Sequence, residues 1–470
     1  GSDVLAGTGT IDIDAEGDIT IGLLQTTDAS NIAVTIDSAT GAVIDAGNVS
    51  ALNIDATAGR AVINAVTGVG SADALETNLA SLDVDNSTSG DINIVETDAV
   101  TIFDAQQATA GNIIITAGGT LTVDNGGAVT NAVSTAGSGT INLSATGIDS
   151  NLVINDGILS DTGSITVTAD NDASIAADGD VTSTSGNVTV TADLDSAADG
   201  GGTDQGSLTM TDSAVINAGT GTIDLNASED VTLGQLVTTN ATTTAVQITS
   251  VAGGVVDGGD TGGADIVTAT GRTVIDAATG IGAADPLETR VESIHADSAA
   301  GAIDIDNSLA TTTTVISLTT VGSTVNFDQA GGGNLSVTGN VSSGSVGPDV
   351  DGGNIELTST ADLTVAGTST ISSAAGTGGL LSINETTIDT GALITVGAGD
   401  VTLSGSGQDT IINATITTAT TATFTATRDV IVGATVTTTN ADADIIINAN
   451  TDDGTAVGAG GVQIQTAGQL

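Results

Sequence analysis

The sequence predicts an all-β protein, a parallel β-helix or β-solenoid, and three observations carry that expectation. A phrase of the form Gly-x-β-x-β-x-small, with β standing for Ile, Val or Leu, returns along the chain about every 20–24 residues. Aromatic residues make up 1% of the 470 residues, with no Trp and no Tyr, so no core can be built around large rings. A block of about 212 residues occurs more than once, which is the mark of an elongating repeat rather than of a globule.

The short phrase comes first. It reads GTIDIDA at 9–15, GDINIVE at 90–96, GNIIITA at 111–117, GTINLSA at 139–145, GSITVTA at 163–169 and GNVTVTA at 186–192. It continues as GTIDLNA at 221–227, GAIDIDN at 301–307, GNLSVTG at 333–339, GNIELTS at 353–359, DIIINAN at 444–450 and GVQIQTA at 461–467. Each phrase alternates apolar and polar residues at period two, so each is a strand with one buried face. Gly, Asn, Asp and Ser between the phrases suit corners. A weaker second phrase follows several of them: GDITIG at 17–22, EDVTLG at 229–234 and RDVIVG at 428–433. No such strand folds alone; stacked coils bury each other's apolar rows, and about 22 coils at the strand spacing of about 4.8 Å give a rod of roughly 105 Å. A row of immunoglobulin-like sandwiches would need hairpin turns, about 100 residues per unit and a large aromatic in each core, and the chain lacks that pattern.

The long repeat is clearest where GRAVINAVTGVGSADALETNLASL at 59–82 returns as GRTVIDAATGIGAADPLETRVESI at 271–294, identical at 14 of 24 positions. Residues 7–29 align without a gap on 219–241 at the same offset, and a third copy starts near 426. The copies are therefore 1–212, 213–425 and a partial 426–470 of one continuous solenoid. Within the quoted string, Asp285 is placed to N-cap a short helical turn, with Pro286 at its first position and Glu288 three residues past the cap. Arg60 and Arg272 match across the copies, and each is expected to bridge to a nearby Asp on the wall.

Net charge is −53 at pH 7, and the four Lys+Arg residues are all Arg. Such a surface repels nucleic acid and anionic lipid and attracts cations. There is no Cys for disulfides or thiolate metal sites, no apolar run of eighteen residues, and no basic-then-apolar leader. The opening GSDVLAG begins inside the repeat pattern and reads as a segment of something longer.

Chemistry is sparse. The one His, His295, aligns with Asp83 of the first copy and reads as a solvated side chain; without Lys, Trp or Tyr there is no sugar platform, and no phosphate loop follows any glycine cluster. The chain is expected not to be an enzyme and to require no cofactor. Acidic corners are the candidate ligands for Ca²⁺, whose preference is for flexible oxygen sets: Asp193, Asp195, Asp199 and Asp204; Asp257, Asp260 and Asp265; Asp349 and Asp351; Asp452 and Asp453. Threonine runs at 311–314, 415–427 and 435–439 read as exposed strand residues, and Phe103, Phe327 and Phe424 as local core plugs.

The strings GDITI, GNVTVTA, GGVVDGGDTGGADI and above all ATGIGAADPLETRVESIHADSAAGAIDIDNS resemble the repeat regions of giant bacterial surface proteins of the filamentous-haemagglutinin-like, autotransporter-adhesin type. The resemblance covers essentially the whole chain. It implies a right-handed β-helix, secretion to the bacterial cell surface, and a role as stalk, fibre or filament. The expected partners are copies of the chain itself, head to tail or side by side, or the rest of a longer chain. The alternative within that resemblance is a Ca²⁺-dependent adhesin module that binds a ligand on one face.

Overall fold

The computed structural model describes residues 3–47, 51–109, 111–127, 131–193, 206–260, 263–344, 353–366, 369–373, 381–384, 386–388, 393–396, 401–405, 409–449 and 461–464. Strands and corners account for all of them; there is no helix among the described residues, and the fold is a parallel β-solenoid of about 17 turns of about 23 residues. Corners carry insertions of uneven length, so successive turns differ in size. Ile113 pairs with Ile92, twenty-one residues back, whereas Ile223 pairs with Val188, thirty-five back. The chain falls into two compact units, residues 1–240 with 258–262 and residues 241–257 with 263–470.

In the first unit three strand rows run from coil to coil. One row takes Ile92, Ile113, Ile141, Ile165, Val188 and Ile223 in register. A second takes Val100, Leu121, Leu152, Ala173, Leu208 and Val231, and a third takes Ala105, Val133, Ile158, Val181, Ile216 and Leu236. All but Val100 are at most 1% exposed. In these rows aliphatic side chains of this size fill the interior, like stacking on like about every 4.8 Å.

The second unit repeats the device with wider residues. Leu287, Ile305, Phe327 and Leu357 stack in one row, and Leu403 stacks on Phe424. Phe327 and Phe424 are fully buried, as expected of core plugs. Phe103 is not one. It sits half-buried at a bulge, where the register slips between Ile102 and Asp104, and its ring lies outside the core under the Arg60 guanidinium, 3.5 Å from carbon to ring centre.

The quoted repeat string has a structural cause. Val69 bridges Val43 and Ile92, and Ile281 bridges Val255 and Ile303. The glycines on either side of each have positive φ, +123° and +60° at Gly68 and Gly70, +141° and +59° at Gly280 and Gly282. A Cβ on Gly70 would come 2.4 Å from the Asn93 carbonyl oxygen, and one on Gly282 would come 2.2 Å from that of Asp304. Gly-x-Gly is therefore a backbone requirement of this corner. The expected helical turn after it does not form: residues 71–73 and 282–285 are bends, and strands begin at Leu75 and Leu287. One residue of a cap cannot hold a helix whose second turn would break the stacked ladder.

Candidate functional site

In both copies the candidate chemistry lies on two features, a buried corner and an outward wall. The corner of the first copy joins Asp45, Asn53 and Glu76. Asn53, fully buried, donates from Nδ2 to Asp45 Oδ1 at 2.7 Å, and its Oδ1 accepts from the Glu76 backbone N–H at 2.9 Å. Burial, together with the charges of Asp45 and Asp73, raises the Glu76 pKa. At the equivalent corner of the second copy the residues are Asp257, Asp265 and Glu288, three carboxyls. Asp265, 3% exposed, accepts from the Glu288 N–H at 3.0 Å through Oδ2. Desolvation, followed by the Asp257 and Glu288 charges, pushes its pKa up to about 9, so at neutral pH Asp265 is a neutral acid standing where Asn53 stands.

A second buried corner lies one coil on. Glu96, 2% exposed, accepts at Oε2 from Thr77 Oγ1 at 2.6 Å and at Oε1 from the backbone N–H groups of Leu79 and Thr97, both at 3.1 Å. Desolvation outweighs those bonds and raises its pKa to about 7. Asn307 takes this place in the second copy. Its Oδ1 accepts from Thr289 Oγ1 and the Val291 N–H, and its Nδ2 donates to Gln329 Oε1 at 2.6 Å.

The outward wall of the first copy carries Asp83, Asp85 and Asp104, with one carboxylate oxygen of each within 4.8 Å of the others. Asp83 and Asp85 alternate outward on the strand Leu75–Asn86, and Asp104 pairs beside Asp83 from the strand Val100–Gln107. Desolvation and then mutual repulsion raise all but Asp104 through both causes, Asp85 to about 6; for Asp104 burial is the cause. The same wall of the second copy carries Asp276, His295 and Asp297, again within 4.8 Å.

Of the acids singled out from sequence, Asp257 and Asp265 come together, with Glu288 added. Asp260 is an exposed turn residue of the first unit. Asp193 is buried in a left-handed backbone conformation, φ +62°. Asp195, Asp199, Asp204, Asp349, Asp351, Asp452 and Asp453 lie outside the described residues. The two wall clusters were missed, although a signal was present: LDVD and IHAD occupy equivalent places in the two copies, and alternation sends both polar residues of each outward.

Neither expected arginine bridge forms. Arg60 stacks on Phe103 and donates from Nε to Ser81 Oγ at 3.2 Å, and Nε of Arg272 is buried with no hydrogen-bond partner. The arginine that does pair with an acid is Arg428, whose Nη2 is 2.5 Å from Asp409 Oδ2. Threonine runs do not present consecutive hydroxyls on one face: Thr313 and Thr418 point inward, fully buried, while Thr314 and Thr417 are half-exposed. No helix among the described residues is long and apolar enough to cross a membrane. No family model matches the chain, and no curated protein or solved structure matches it.

Proposed function

We propose that this chain is a non-catalytic, rod-like structural segment of an extracellular fibre or stalk on a bacterial surface. The single observation that carries the reading is the coil-to-coil register. Strands of successive coils pair in parallel, like residue on like, so that duplicating a block adds length and leaves the cross-section unchanged. A catalytic protein gains nothing from such duplication; a spacer gains reach. The resemblance of GIGAADPLET and its flanks to bacterial surface adhesins supports the location, and the alternation of the threonine runs between faces favours a spacer over a ligand-binding wall.

Charge adds a second element to the proposal. At −53, and with acids stacked on neighbouring strands as at Asp83, Asp85 and Asp104, self-repulsion costs stability in dilute buffer. Divalent cations such as Ca²⁺ relieve it and bridge neighbouring copies of the chain. Inserting one further 212-residue block should lengthen the particle by the same increment that one block contributes, at constant cross-section, in small-angle scattering and electron micrographs. A compact particle, or a thicker one, would overturn the spacer reading. Millimolar Ca²⁺ should raise the melting temperature at far lower concentration than NaCl; superimposed melting curves would remove the cation from the proposal.

A further inference from the structure

The histidine of this chain lands between two carboxylates. Asp276 on the strand Ile266–Ala277 pairs directly with Asp297 on the strand Leu287–Ser298, and His295 stands two residues before Asp297 on the same outward face. His295 Nε2 is 2.8 Å from Asp297 Oδ2, and a carboxylate oxygen of Asp276 completes a set of three ligand atoms within 4.8 Å. Metal–ligand bonds of about 2.0–2.2 Å, meeting at angles between the octahedral and the tetrahedral, place neighbouring ligands roughly 2.8–3.6 Å apart. The His–Asp pair is thus already near the spacing a shared ion needs.

Asp297 is also held in place from its other side. Ser317 Oγ and Thr319 Oγ1, on the next strand, both donate to Asp297 Oδ1, at 2.8 and 2.6 Å. That fixes the carboxylate and leaves Oδ2 as its ligand atom, the kind of outer support that makes a metal site selective. With all three ligands rising from one wall, the positions on the far side of an ion remain open to water or to a second molecule.

We propose that Asp276, His295 and Asp297 bind one borderline divalent transition-metal ion such as Zn²⁺, through imidazole Nε2 and one oxygen from each carboxylate. The ion takes the place of the proton between Nε2 and Oδ2; the metal-bound ring is the neutral tautomer with its N–H at Nδ1, and any proton in excess of that one leaves to solvent. Imidazole sets this site apart from the all-oxygen set Asp83, Asp85 and Asp104 at the equivalent place of the first copy, because nitrogen ligation favours Zn²⁺ over Ca²⁺. The inference stands independently of the fibre reading.

Because the chain has one His, a ¹³C-labelled histidine gives one imidazole signal, blind to ions held elsewhere on the acidic surface. The full chain is titrated with zinc chloride at pH 7, in about 0.15 M salt to screen exposed charges and with millimolar Ca²⁺ to occupy the diffuse acidic sites. The signal should shift and saturate at one equivalent, with a micromolar midpoint, and Ca²⁺ alone should leave it unmoved. Asp276→Asn and Asp297→Asn should each weaken the midpoint about ten-fold or more, while Asp83→Asn, on the other wall, leaves it unchanged. A signal indifferent to Zn²⁺ up to millimolar concentration, one that responds equally to Ca²⁺, or a midpoint that both Asn variants leave in place would overturn the site.

Discussion

In the first copy of the block an amide, Asn53, fills one corner and an acid, Glu96, fills the next; in the second copy Asp265 stands at the Asn53 position and Asn307 at the Glu96 position. The exchange is reciprocal, and the backbone around it does not change. Glu76 N–H bonds to Asn53, and Glu288 N–H bonds to Asp265; Leu79 N–H bonds to Glu96, and Val291 N–H bonds to Asn307. The corner therefore requires an oxygen that accepts a buried N–H, since an unmet one costs about 1–3 kcal/mol. Whether that oxygen belongs to an acid or an amide is left open by the fold. It decides how each copy responds to pH.

The strongest test of what the copies share is the glycine corner. Gly70→Ala and Gly282→Ala should each cost about 2–4 kcal/mol in urea unfolding, from a left-handed backbone and a collision with a carbonyl of the next coil. Equal costs would establish that both copies need this corner; a neutral substitution in either would break the equivalence.

The amide corner of the second copy should fail next. Asn307→Asp keeps the acceptor but removes the donor to Val291 O, Thr313 Oγ1 and Gln329 Oε1. A loss of about 2–3 kcal/mol at pH 7 is expected, partly recovered at pH 5, where the new acid is protonated. Thermal melts at the two pH values read both terms.

The buried acids themselves give the third effect. Glu96 has a folded pKa of about 7 against an ordinary 4.5, so the folded state holds the proton more tightly. Its contribution is fully present below pH 4.5 and is lost as the pH rises through 7, about 3 kcal/mol over that window. Asp265 acts in the same direction, its contribution being lost as the pH rises through about 9. Glu96→Gln should flatten the stability profile between about pH 4.5 and 7, and Asp265→Asn should flatten it over the wider window from about pH 3.8 to 9. A variant profile parallel to the parent's would show that the acid is not the titrating group.

The smallest expected effect concerns the arginines. Phe103 occupies the bulge position that Ile316 occupies in the second copy, so Arg60 has a ring to stack on and Arg272 has none. Phe103→Ile should cost about 0.5–1 kcal/mol, the worth of a half-exposed cation–π contact. Ile316→Phe should stabilise the second copy by a similar amount if the two walls are equivalent. A neutral Phe103→Ile would mean that the stack contributes nothing.

The strands were legible because period two is a local property. Every one of the twelve phrases forms a strand or part of one, from Ile11–Ala15 to Val462–Ile464, and the three second phrases form Ile19–Ile21, Val231–Leu233 and Val430–Val432. The bend after Gly-x-Gly was misread as a helix start because capping residues signal any abrupt change of chain direction. Alternation marks the outward acids of each wall, but not their cross-strand partners: Asp104 and Asp83, or Asp276 and Asp297, are neighbours only through a register that bulges adjust.

Composition and periodicity alone determined the solenoid: with aliphatic rows, small corners and almost no rings, stacking identical rows is how this chain buries its apolar surface. Tertiary structure alone decided which acids meet, which of them lose water and hold a proton, and where the one histidine lands. A residue's partner on the next coil lies about twenty to thirty-five positions away, and its charge state is set by that partner and by burial rather than by the residues on either side of it.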